Sequence, residues 1–247
     1  MPDVKIFGEH DDRTREQMAR CMQYGSVVGG VLCADGHLGY AQPVGGVIAY
    51  EDHISVSGVG FDIACGNLAV KLDVPKRAIE DCVVDTVHNH HNFAWRERHG
   101  ERDLWVVRKG ATPGFPGQRG FVGGSMADDA VILCGIESEA VAASFYSTVH
   151  GAGRVMSRTE ARGRLVKDPA TGKKLRQPGR VQHDAMQAWL REKGVHLLGG
   201  DVDEAPQAYR RLPDVLVHHS GTVKIEHILR PFAVLMAGSD VFDPFKD

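Results

Sequence analysis

Between Ser26 and Tyr50 the chain is rich in Val, Ile and Leu, yet Gly29, Gly30, Gly36, Gly39, Gly45 and Gly46 interrupt it every few residues. Glycine weakens a helix interior and suits turns and close backbone approaches. The punctuation therefore predicts short strands joined by turns. Asn67 to Leu72, Leu104 to Val107 and Asp128 to Gly135 read as further strands, and Pro231 to Met236 as a final buried one. Helical spacing is confined to a few stretches. Met18, Cys21 and Met22 mark one between residues 9 and 24, with Asp11 or Asp12 placed to cap it. Glu137 to Val149, running into His150, and Asp184 to Lys193 are two more, and Pro75 to Asp81 is a short connection or helix. With no internal repeat and no clean linker, the expectation is a single mixed α/β (α+β) domain over 1–247, its glycine-interrupted strands surrounding a central pocket.

At 43% hydrophobic and 25% charged residues, the composition is that of a soluble globular protein. No apolar run approaches the ~20 residues of a membrane helix, and the first residues lack the apolar core of a signal peptide. The expected setting is cytoplasmic, without membrane association. Five scattered cysteines, an odd number, point to reduced thiols rather than a disulfide framework. A net charge of -3 gives no global nucleic-acid signature, so any basic surface must be local. One such stretch runs from Arg154 to Arg180, with nine basic residues against Glu160 and Asp168. It reads either as a solvated hairpin around Lys167–Lys174 or as a contact to phosphate backbone through Arg158, Lys173, Lys174 and Arg176.

Chemistry is concentrated in a few places. In Ser57-Gly-Val-Gly-Phe-Asp-Ile-Ala-Cys-Gly66, glycines flank Asp62 and Cys65, a carboxylate and a thiol that make half a transition-metal site or else a tight turn around a buried cysteine. Thr86 to Trp95 holds His88, His90 and His91, dense enough for metal or phosphate chemistry, although spacing does not select among them. The loop Asp35 to Gly46 matches no phosphate-binding fingerprint and reads as a structural turn. Arg108 to Gly120 has cations at the base of a glycine- and proline-rich loop, which suits an anion or a solvated surface equally. In His150-Gly-Ala-Gly-Arg154, glycines give a substrate close access to an imidazole, with Arg154 and Arg158 placed to neutralise phosphate.

In order along the chain, Ser57 to Gly66, His-His-Asn-Phe-Ala, Arg-Lys-Gly-Ala-Thr, Gly-Gly-Ser-Met, His-Gly-Ala-Gly-Arg-Val-Met-Ser-Arg and Asp-Glu-Ala-Pro-Gln-Ala-Tyr together resemble the RtcB-type RNA ligases. The resemblance runs from about Gly30 to about Gly238. It implies a GTP- and Mn2+-dependent enzyme of tRNA splicing and RNA repair that joins a 3'-phosphate or 2',3'-cyclic phosphate end to a 5'-hydroxyl end through a guanylylated histidine. By matching position it makes His150 the nucleophile and Asp62, Cys65 and His91 metal ligands. Asn92, Gly123, Gly124, Ser125, Met126, Gly151, Ala152 and Gly153 would hold the nucleotide. It implies RNA partners, tRNA halves or broken RNA, and an archease-type activator. The chain departs from the family between about residues 72 and 87, where a long segment with two further metal-binding histidines would stand. His219-Ser-Gly221 resembles a fragment of it in another place. Two readings compete with an active ligase: a degenerate metal- or nucleotide-binding relative without ligase activity, and an unrelated metal-dependent phosphohydrolase or nucleotide transferase.

Overall fold

The computed structural model describes residues 2–60, 62–63, 65–72 and 83–238. The fold is mixed α/β, as expected. The chain expected to form one domain partitions into two compact units. The first comprises the residues up to Gly123 with Val131–Gly151 and Pro213–Ile228; the second comprises Gly124–Ala130, Ala152–Leu212 and the residues from Leu229 onward.

The first unit is organised on a five-stranded sheet in the order Val4–Ile6, Val27–His37, Val44–Tyr50, Arg102–Lys109, Asn92–His99. Its first pair is parallel and the others antiparallel. The glycines do not cut Val27–His37 into pieces, which corrects the expectation of short strands there: the strand runs eleven residues through Gly29, Gly30 and Gly36. Packing explains Gly30, where a Cβ would stand 2.6 Å from both Met18 Cε and Met22 Sδ. Those methionines belong to the helix Asp12–Cys21 and its C-terminal turn, and they pack against Ile48, Tyr50, Val59 and Val107. Asp11 caps that helix, its carboxylate accepting from Thr14 N at 3.0 Å.

The helix expected over Glu137–Val149 stops at Ala143. Phe145 and Tyr146 take left-handed backbone conformations, φ 49° and 48°. The Phe145 carbonyl turns toward the buried Arg108 guanidinium, which donates to it at 2.8 Å. Chain reversal then produces the strand Ser147–Val149, antiparallel to Ala111–Pro113, so His150 follows a strand rather than ending a helix. The antiparallel pair Gly66–Leu72 and Val83–His90 contains the strand expected at Asn67–Leu72, whereas the Pro75–Asp81 segment lies outside the described residues. A three-stranded sheet of Val223–Leu229, Ala130–Gly135 and Arg119–Val122 completes this unit.

In the second unit the helix His183–Lys193 buries Met186 and Leu190 among Met126, Ala161, Ala205 and Ala208. It ends at Gly194 in the left-handed region, φ 66°. Ala233–Leu235 pairs in parallel with His196–Leu198, but Leu235 is 81% exposed, so the final strand is not the buried one expected. Leu165–Lys167 and Lys174–Arg176 form an antiparallel hairpin. Among the described residues no helix is long and apolar enough to cross a membrane.

Candidate active site

Asp35 is a carboxylate with no solvent exposure near the end of the largely apolar strand Val27–His37. A buried charge needs a partner, and the fold brings it three donors. His150 Nδ1 lies 2.7 Å from Asp35 Oδ2, His150 N 3.1 Å and Gly151 N 3.3 Å. Backbone irregularity makes this possible. Five residue steps from Leu32 to His37 face only two from Gly46 to Val44 in the neighbouring strand, and Asp35 sits in that bulge. Gly45, φ 78°, lets the carboxylate in, since a Cβ there would be 3.0 Å from Asp35 Oδ1. Burial opposes ionisation of Asp35, but the His150 imidazole outweighs it and holds the carboxyl below its usual range. Burial likewise opposes charge on His150, and the Asp35 carboxylate overcomes it, with the Gly110 backbone adding to the effect, so the imidazole pKa is raised. An ionised carboxylate only accepts, so in the neutral ring the hydrogen sits on Nδ1 and Nε2 carries the lone pair that can act as a nucleophile.

The His91 ring stands beside this pair, 4.9 Å from the His150 ring between centroids. It occupies the corner between Val83–His90 and Asn92–His99. Its backbone N donates to Cys65 O at 2.9 Å, and Asn92 Nδ2 donates to Asp62 O at 3.0 Å, so the Asp62–Cys65 loop is tied to the histidine corner. Burial, and then the nearby His150, push the His91 pKa down to about 4. This keeps the ring neutral, the form that binds a metal. Its Nδ1 is buried without a hydrogen-bond partner. Burial, and then the hydrogen bond to Asp62, push the Cys65 thiol up to about 11, so an ion bound there would have to displace its proton. The donor types fit a borderline divalent ion, with His91 Nδ1 as the open position. Among the described residues no three His, Cys, Asp or Glu side chains gather closely enough to hold one.

The residues expected around a nucleotide are divided. Asn92 has both ends of its amide in use, since Oδ1 also accepts from Gly110 N at 2.7 Å. Gly123 and Gly151 belong to the first unit, and a Cβ at Gly151 would meet only Gly123 O, at 3.5 Å. Gly124, Ser125, Met126, Ala152 and Gly153 belong to the second. There Met126 is a core side chain, the Ser125 hydroxyl donates to Asp128, and Gly153 O accepts from Arg210 N at 2.9 Å.

Three cations read as phosphate partners are otherwise engaged. Arg108 is fully buried, donating to Glu97 at 3.0 Å and to Ser147 Oγ at 2.9 Å. Arg154 donates to Tyr209 OH at 2.7 Å and Asp203 O at 2.6 Å, and Arg158 pairs with Asp203 and Glu204. The Asp-Glu-Ala-Pro-Gln-Ala-Tyr motif thus anchors two arginines of the His-Gly-Ala-Gly-Arg segment. Sequence reasoning passed over Asp35, treating its loop as a turn; the available signal was an acid inside an apolar strand. It also gave His219 little weight. That imidazole is fully buried, stacks on Phe7 at 4.3 Å and accepts from Ala34 N at 3.1 Å, beside the carboxylate's own strand position.

The sequence model of the family described as tRNA-splicing ligase RtcB matches residues 17–89 and 80–237. Over 154 residues the chain is 30% identical to the RNA-splicing ligase RtcB of Escherichia coli K12, covering 62% of this chain and 33% of that protein. It is 34% identical over 174 residues to the tRNA-splicing ligase RtcB of Archaeoglobus fulgidus, again covering 62% and 33%. With the Nanoarchaeum equitans tRNA-splicing ligase RtcB it shares 31% over 171 residues, covering 63% and 33%. The chain therefore spans about a third of the length of these relatives. With the family match extending over most of its residues, the chain belongs to the RtcB family.

Proposed function

We propose that this chain is a GTP- and Mn2+-dependent RNA ligase that joins 3'-phosphate or 2',3'-cyclic phosphate ends to 5'-hydroxyl ends, with His150 as the residue that takes up GMP. The observation that carries this reading is the Asp35–His150 pair, 2.7 Å apart with the carboxylate fully buried. Asp35 holds the hydrogen on Nδ1 and orients the ring, and Nε2 attacks the α-phosphorus of GTP. A P–N bond forms, the α–β phosphoanhydride breaks, and pyrophosphate leaves. Positive charge growing on the ring is balanced by Asp35, already in place before reaction. The P–N bond then breaks as GMP passes to the RNA 3'-phosphate to form an anhydride, and the 5'-hydroxyl attacks its 3'-phosphorus, forming the phosphodiester and expelling GMP; a 2',3'-cyclic end enters after opening by water to the 3'-phosphate. Asp62, Cys65 and His91 are the residues that would hold Mn2+, which would supply charge neutralisation for the phosphates. The backbones of Gly151 and Gly153 and the Gly123–Met126 turn, with Ala152 and Asn92, hold the nucleotide. The partners are RNA ends, tRNA halves or broken RNA, and an archease-type activator, in the cytoplasm.

A second reading, a degenerate nucleotide-binding relative, is favoured by the absence of a three-donor cluster among the described residues and by the engaged Asn92 amide. Incubating the protein with Mn2+, GTP and two RNA strands ending in 3'-phosphate and 5'-hydroxyl separates the two. The ligase reading expects GTP-dependent joined product; GTP binding without joining, with Mn2+ shown to be bound, selects the degenerate one.

A further inference from the structure

The basic stretch of the second unit is not uniform. At its ends the cations are consumed: Arg154 and Arg158 by Asp203, Glu204 and Tyr209, and Arg180 by Glu160 at 2.6 Å. Within the hairpin the reverse holds. Arg164, Lys167, Lys173 and Lys174 are exposed, and no acid pairs with them among the described residues. The one carboxylate in the loop, Asp168, is committed to the turn, accepting from Thr171 Oγ1 at 2.7 Å and Ala170 N at 2.8 Å.

The register sharpens this. Lys167 stands directly opposite Lys174, and Val166 opposite Leu175. Residues directly opposite share a face and adjacent residues alternate, so one face carries the lysine pair and the other the apolar pair. Like charges directly opposite destabilise an antiparallel pair. Among the described residues no carboxylate pairs with either lysine to offset that repulsion; a phosphate would. At the root of the hairpin a cleft of about 670 Å³ is lined by Arg164 and Gln177 and by Arg180 with its partner Glu160.

We propose that the lysine face of the Leu165–Arg176 hairpin binds the phosphate backbone of single-stranded nucleic acid, independently of base sequence. Of the exposed apolar side chains of the hairpin, Leu165 shares the face of Lys167 and Lys174, while Val166 and Leu175 lie on the opposite face. Most of the apolar surface is turned away from the lysine pair, which favours a nucleic-acid strand over an anionic lipid surface, where charged and apolar groups would insert from one side. The inference deepens the RNA-ligase reading and rests on it for the identity of the strand.

The test uses the full chain and a fluorescent single-stranded RNA, with affinity measured by anisotropy from 50 to 200 mM salt. Each phosphate contact contributes about 0.7 to the slope of log K against log salt for single strands. The double variant K167A/K174A should flatten the slope by about 1.4 on unrelated sequences, and the matching Lys→Arg variant should keep it. An unchanged slope overturns the proposal, as does intact protein that fails to bind RNA at 50 mM salt. Binding to phosphatidylserine vesicles but not to RNA overturns it in favour of a membrane surface. GMP transfer to His150 is read separately: its absence with a flattened slope would remove the ligase reading and leave the hairpin site standing.

Discussion

Arg108 and Lys174 are both cations in antiparallel strands, and the molecule treats them in opposite ways. Arg108 has no exposure and meets Glu97, Ser147 and the Phe145 carbonyl. Lys174 is exposed and faces another lysine. A buried cation must be surrounded by acceptors because desolvation leaves it no alternative; an exposed one can remain unpaired because water screens it. The density of basic residues in a sequence therefore says little about where an anion binds. What matters is which of them the fold has left without an acid.

The contrast is broken most forcefully at Arg108. Arg108→Ala leaves the Glu97 carboxylate buried beside His99 and should cost about 3–5 kcal/mol, read from denaturant unfolding, whereas Lys174→Ala should stay within about 0.5 kcal/mol. Similar losses at the two positions would contradict the distinction.

His219 offers the next effect, through pH. Burial first of all lowers its pKa from 6.5 to about 4, so below pH 6.5 the unfolded chain takes up a proton that the folded one refuses. Stability should then fall as pH drops from about 6.5 to about 4, by roughly 3 kcal/mol from this group alone. His219→Asn should show a correspondingly shallower loss over that window. Equal slopes in the two proteins would mean that His219 is not held neutral by its burial.

The smallest effect lies in the hairpin. Lys174→Glu replaces a like-charge cross-strand pair by an opposite one and should stabilise the second unit by a few tenths of a kcal/mol while weakening RNA binding. A gain in stability with no loss of RNA affinity would separate the repulsion from any role in binding.

These differences mark what the sequence could and could not disclose. Helical spacing located Asp12–Cys21 and His183–Lys193 because each buries one face, through Met18 in the first and Met186 and Leu190 in the second. The glycine-punctuated strands were recognisable as strands, but their lengths were not, since Gly30 answers to methionines of a helix and not to a turn. The helix expected to reach Val149 ends at Ala143, and the left-handed turn at Phe145 and Tyr146 that follows is held by Arg108, a residue more than thirty positions away. At the site, the motifs singled out His150 and His91, whose rings stand 4.9 Å apart, and the Asp62–Cys65 loop, which is tied to His91 and Asn92 through its backbone carbonyls. Asp35 escaped notice because its partner is 115 residues distant; the one local sign was an acid following the apolar run Val31–Ala34.

The central claim is that His150, held by Asp35, is the nucleophile. Its most direct test is to incubate the protein with Mn2+ and GTP labelled at the α-phosphate and to map the adduct. The account predicts an acid-labile, alkali-stable label on His150, lost in His150→Ala and strongly reduced in Asp35→Asn although the latter still binds GTP. Label that persists in His150→Ala, or that is unaffected by Asp35→Asn, would contradict it.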